Sequence, residues 1–137
     1  MEKELRALEE RKKDLLRRLT RLGDFRRGSI SINYRECGKK NCACASDKHR
    51  RHGPQYLWNS TRRGKSLAQN LRMGPELEKV SIETENYEKF SRLIEDLVEV
   101  SDEICKARPV REIEDKEELE SLKKKLQKQF KKRFEQK

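Results

Sequence analysis

Apolar residues are scarce in this chain: 32% of its 137 residues are hydrophobic and 6% aromatic, against 44% charged. An average globular domain is about 45–50% apolar and about 25% charged, so one large apolar core is excluded. No run approaches the roughly 18 uncharged apolar residues of a membrane span, and the charged N-terminus lacks the apolar stretch of a secretory leader. A cytoplasmic protein is therefore expected. A glycine-rich phosphate loop, an H-E-x-x-H pair and a nucleophile elbow are also missing. The acids lie on helical stretches rather than in a polar loop, so no enzyme is expected. The length is short for a two-domain enzyme and no internal repeat is present, which leaves residues 1–137 as a single unit.

Helix-forming residues are abundant. Ala, Glu, Lys, Leu and Arg supply 74 of the 137 residues, the composition of long helices and coiled coils. Leu5, Leu8, Lys12, Leu15, Leu19 and Leu22 step by three and four, the rhythm of a helical seam with one lysine in it. This predicts a helix over 2–23, closed by Gly23 and Asp24. After Gly74-Pro75, the residues Val80, Tyr87, Phe90, Ile94, Leu97 and Ile104 continue the same rhythm if Glu83 and Ser101 fill the gaps. The spacing predicts a helix over 75–107, weakest at the β-branched stretch 80–84. Ile113, Leu119, Leu122, Leu126, Phe130 and Phe134 give a looser stripe and predict a helix over 112–136.

Between the helices lies a cysteine-containing ribbon over 28–73. Ile30, Ile32 and Tyr34 alternate with polar residues and predict a strand at 29–35. Residues 56–61 and 66–71 flank Arg62-Arg63-Gly64-Lys65, a basic connection with a glycine suited to positive φ, and predict a hairpin. The expected fold class is α+β: a small three-stranded antiparallel ribbon, stapled by zinc, inserted between long amphipathic, coiled-coil-like helices. Antiparallel packing of the first two helices follows from the short meander between them and from their opposite charges.

The net charge of +10 is uneven. Residues 29–75 carry ten Lys/Arg and two Asp/Glu, while residues 76–110 carry five and ten. The basic segment also holds three of the four cysteines, both histidines and the single tryptophan. Cys37, Cys42 and Cys44 with His49 or His52 form a set of thiolates and imidazoles on a turn-rich loop, and three thiolates plus one imidazole complete a tetrahedral structural zinc site. Free thiols, or a redox-sensing loop among basic residues, remain alternatives. Cys105 follows Ile104 and reads as a small buried hydrophobe.

Gly28-Ser29, Cys37-Gly38-Lys39, Cys42, Cys44-Ala45, His52-Gly53-Pro54, Tyr56 and Gly64-Lys65 together resemble a family of small bacterial and archaeal proteins of uncharacterised function. The likeness runs from Gly28 to Val98. It implies Cys37, Cys42, Cys44 and His52 as the ligand set, and for some members an association with mobile elements. The run Asp47-Lys48-His49-Arg50-Arg51, and Ala43 in place of a frequent arginine, depart from the family pattern.

Basic residues around the ligands and at the hairpin, namely Arg35, Lys39, Lys40, Lys48, Arg50, Arg51, Arg62, Arg63 and Lys65, predict nucleic-acid binding through phosphate contacts, with DNA slightly favoured over RNA. Neither a recognition helix nor the aromatic motif of an RNA-binding sheet is present. Tyr34, Tyr56 and Trp58 are read as packing rather than stacking groups. The alternative is a helical interaction adaptor in which zinc only staples the middle, and a homodimer or a larger protein partner docks through the helices. Neither a membrane nor a small-molecule substrate is expected.

Overall fold

Leucine seams, an alternating stretch and a tight basic turn set out the order α1 (Glu2–Thr20), β1 (Ser29–Arg35), β2 (His52–Arg62), β3 (Lys65–Leu71), α2 (Pro75–Ala107) and α3 (Lys116–Phe134). This is a computed structural model, and it describes residues 2–135. The chain divides into two compact units, residues 1–105 and 106–137. The α+β class holds, with one antiparallel sheet in the order β1-β2-β3.

β1 occupies the residues its alternation predicts. The hairpin closes as Arg62↔Lys65, with Arg63 and Gly64 at φ 51° and 78°. Positive φ at both central residues makes it a type I′ turn, whose twist matches that of the flanking strands. Cross-strand partners assign the faces. Ile30, Trp58 and Gln69 form one row, and Ile32, Tyr56 and Leu71 the next, on one side. Opposite them lie Ser29-Asn59-Ala68 and Ser31-Leu57-Asn70, bounded by Thr61-Ser66 at the turn end and Asn33-Gln55 at the other.

The first side carries the apolar residues: Leu71 is buried, Ile30, Tyr56 and Trp58 are half-buried, and Ile32 and Gln69 are exposed. Trp58 donates its indole N–H to the Arg27 carbonyl at 2.8 Å, and the Arg26 guanidinium lies 4.8 Å from the centre of its ring. Arg26 also reaches α2: its amide donates to the Glu83 carbonyl at 3.0 Å and its guanidinium lies 2.9 Å from Glu83 Oε1. Asn86 donates to the Asp24 carbonyl, and Phe25 stacks on Phe90 at 4.6 Å. Gly28 has φ 113°, and a Cβ there would sit 2.2 Å from the Asn59 carbonyl oxygen, so glycine alone fits where the chain enters β1.

The turn after α1 is thus pinned to the middle of α2. Leu15 on α1, and Val100 and Ile104 on α2, are buried. α1 ends at Thr20, earlier than the seam predicts, because Arg21 and Leu22 bond back to Arg18 and Leu19 in a tightened last turn.

α2 is continuous through 80–84, where propensity argues for weakness. Val80, Glu83 and Thr84 are buried, and the Thr84 hydroxyl donates to the Val80 carbonyl at 2.9 Å. Burial of that face overrides a modest propensity cost. Cys105 is exposed, correcting the buried reading; Ile104 beside it takes the inward position.

In the second unit, Asp115 caps α3 by accepting from the Glu117 amide at 3.0 Å. α3 therefore starts at Lys116 rather than at 112, while the expected end at 136 lies outside the described residues. Phe130 and Phe134 stack at 5.5 Å and are exposed.

Glu83 is the acid that joins the turn to the helix, and Lys79 pairs with its other oxygen. Glu83→Ala is expected to cost about 2–3 kcal/mol, since it strands a half-buried Arg26. Urea unfolding checks this, and a loss under about 0.5 kcal/mol would contradict it.

Candidate metal centre

β1 and β2 pair in register from Ser29↔Asn59 to Asn33↔Gln55; the ladder then shifts and resumes at Arg35↔His52. This pairing brings Cys37, two residues beyond Arg35, back beside the start of β2. Gly53, at φ 146°, lets the backbone pass close to β1: a Cβ there would lie 2.9 Å from the Asn33 carbonyl oxygen. The loop over 36–51 has a single buried residue, Cys44. Too little apolar surface is covered to order so long a segment.

Local hydrogen bonds fold the loop onto itself. Gly38 takes φ 82°, the Cys42 amide donates to the Lys39 carbonyl at 3.2 Å, and the Ala45 amide donates to the Cys42 carbonyl at 3.1 Å. Single turns of 3-10 helix follow at Ala43–Ala45 and Lys48–Arg50.

Cys37, Cys42, Cys44 and His52 converge, with all four ligand atoms within 4.8 Å of one another. Cys37 Sγ lies 3.6 Å from Cys44 Sγ, and Cys42 Sγ lies 3.2 Å from His52 Nε2. Tetrahedral zinc, with Zn–S near 2.3 Å and Zn–N near 2.05 Å, sets these separations at about 3.8 and 3.6 Å. The donor set fits a closed structural site that binds through His52 Nε2. His49 does not join it: the Asp47 carboxylate accepts from the His49 amide and holds that residue in the second 3-10 turn. Among the described residues no other group of three or more such side chains converges.

The thiols are unequal. Hydrogen bonds from the Cys44 backbone and side chain, then from His52, lower Cys42 to about 6. Cys44 accepts from the Cys37 amide, which favours its thiolate, yet desolvation and the neighbouring Cys42 and Cys37 sulfurs raise it to about 11. One thiolate is therefore present at neutral pH to start coordination, while Cys44 would lose its proton to water as a metal displaces it.

The basic residues fall at two ends of the sheet. Arg35, Lys39, Lys40, Lys48, Arg50 and Arg51 surround the ligands, whereas Arg62, Arg63 and Lys65 form the hairpin tip. β2, eleven residues from His52 to Arg62, runs from one group to the other, about 34 Å at strand rise. Arg51 lies 3.7 Å from Glu36, and Arg50 lies 3.7 Å from Asp47. Sequence reasoning misses both pairs, although the i,i+3 spacing of Asp47 and Arg50 signals one of them. Trp58 lies under Arg26, as a packing residue should.

Residues 5–72 match the family profile described as Domain of unknown function (DUF6788). The match takes in α1 from Leu5 and the whole sheet with its cysteine loop, and it ends before α2. No curated protein and no solved structure matches the chain.

Titration with cobalt(II) should give one equivalent of tetrahedral, thiolate-bound visible absorption. Cys42→Ser and His52→Ala should abolish it, and His49→Ala should leave it intact; disappearance of the band with His49→Ala would overturn the ligand assignment.

Zinc affinity should fall with falling pH across the neutral range, because Cys44 must lose a proton to bind, and more steeply below about 6, where Cys42 also takes one up; binding at pH near 7 should release protons. Competition against a chelator of known affinity reads both effects.

Proposed function

We propose that this chain is a nucleic-acid-binding module whose basic sheet is stapled at one end by a structural zinc ion. The observation that carries this reading is the state of the hairpin tip. Arg62, Arg63 and Lys65 are exposed, and none of them makes an ion pair among the described residues. Three cations on a turn that the fold does not need are suited to phosphate oxygens.

Zinc has a mechanical role in this reading. It fixes the loop between β1 and β2, so that Lys39, Lys40 and Lys48 are held at the far end of the same sheet. Three thiolates and one Zn²⁺ sum to −1, so part of the positive charge at that end offsets the centre itself. The tip cations have no such duty and contribute more to phosphate binding. By sequence the two groups are equivalent; the ion pairs of Arg50 and Arg51 argue for a division of labour.

The second reading, an adaptor that docks through its helices, draws support from the second unit, where Leu126, Phe130 and Phe134 are exposed on α3.

Fluorescence anisotropy on an arbitrary duplex distinguishes the two. Binding should weaken steeply with salt. Arg62→Gln, Arg63→Asn and Lys65→Gln together should lower the log–log slope by about 0.9 for each phosphate no longer neutralised, while far-UV circular dichroism stays unchanged. Asn is chosen at 63 because it tolerates the left-handed backbone there. Neutralising Lys123, Lys124 and Lys125 should do less, since Lys123 already lies 3.6 Å from Glu120. No binding at low salt would overturn the proposal in favour of the adaptor.

A further inference from the structure

The outward face of the sheet is anomalous for this chain. Its ten residues are serine, threonine, asparagine, glutamine, leucine and alanine, with no charge among them. At the chain's own 44% share of charged residues, about four would be charged. Solvent-facing strands, edge strands above all, ordinarily carry lysine and glutamate, which keep them soluble and unpaired. Here both outer strands, β1 and β3, forgo that protection on this face, while charge is crowded at the ends. Asn33, Thr61, Ser66 and Asn70 are exposed.

Uncharged amides and hydroxyls are among the groups that read base edges, and the ones that do so other than at guanine: Asn and Gln pair with adenine, Ser and Thr with either partner, and small apolar groups meet the thymine methyl. The dimensions agree. The axes of the outer strands lie about 10 Å apart, so the sheet can face a major groove about 12 Å wide but not a minor groove about 6 Å wide. The four rows cover about 20 Å, or about six base pairs of B-form axis at 3.4 Å each. Tyr56 and Trp58 belong to the opposite face, so the outward face offers no ring on which unpaired bases can stack. A-form RNA hides its major groove from side chains.

We infer that the outward face of the sheet lies in the major groove of B-form DNA and reads sequence there, with Asn70 and Gln55 as adenine-contacting groups, while the basic ends hold the flanking phosphates. This deepens the proposed function and rests on it. Asn59 is not assigned a base, because its amide nitrogen already donates to the Ser31 hydroxyl at 2.7 Å.

The test is selection from a randomised DNA duplex library by the full chain, repeated with Asn70→Ala and Gln55→Ala. A short motif containing A·T pairs should be enriched. Each variant should relax one position of it, losing roughly 5- to 150-fold in discrimination, with arbitrary-duplex affinity and salt slope unchanged. Circular dichroism and cobalt absorption verify that each variant is folded. Duplex binding without an enriched motif, a motif indifferent to both variants, or equal competition by duplex RNA would each overturn the inference and leave the phosphate-binding reading standing. Absence of any nucleic-acid binding would overturn both.

Discussion

Arg26 is the residue on which the geometry of the first unit depends. Its guanidinium lies between the Glu83 carboxylate on α2 and the Trp58 ring on β2, and its amide bonds to the Glu83 carbonyl. One side chain therefore joins the turn after α1, the central strand and the long helix. In a richer core this joint would be made by leucine and phenylalanine. Here apolar residues are few, and beside the stacked Phe25 and Phe90 a half-buried charge pair with a ring beneath it completes the joint. Such a pair gives direction as well as energy, because a guanidinium over a ring and beside a carboxylate accepts few orientations. Trp58 thereby turns the side it shares with Ile30 and Tyr56 toward this joint, while six of the ten residues on the opposite side are exposed.

The far end of β2 meets the opposite problem. The loop between β1 and β2 has neither a core nor a helix to rest on, and hydrogen bonds within its turns are worth little when both partners are open to water. Without a metal, desolvation and the neighbouring sulfurs keep the Cys44 thiol protonated beside the Cys42 thiolate. A cation reverses the sign of that interaction. Of the basic residues around the site, Arg50 and Arg51 already face Asp47 and Glu36, and in the proposed reading the others are the ones available to a partner.

Periodic and local features were legible in the sequence. The leucine seam of α1, the strand at 29–35, the basic type I′ hairpin and the three clustered cysteines each depend on residues a few positions apart. Features set by distant contacts were not legible. Spacing alone leaves His49 and His52 equivalent; the choice is made by Arg35↔His52 pairing in the sheet and by the Asp47 cap that removes His49. The stretch 80–84 looked weak because its propensity is poor, yet Val80 and Thr84 are buried against structure that no local rule includes. Cys105 was misplaced by one helical position: the rhythm reaches inward at Ile104 and turns the next residue to solvent.

Charge distribution is the remaining constraint on how the sheet works. Of 25 acids only Glu36 and Asp47 lie within 29–75, and both are in ion pairs with neighbouring arginines. Solubility alone would be served by acids and bases mixed along the strands, so it does not account for a sheet with bases at its ends and neutral groups between. The two ends are about 34 Å apart, more than about four Debye lengths at physiological ionic strength. Their fields are thus nearly independent, and neither adds much repulsion to the other. Attraction from the ends is screened by salt, whereas hydrogen bonds from the neutral face act only at close range and are little affected by it. In the proposed reading, such an arrangement separates affinity, which salt tunes, from selectivity, which it does not.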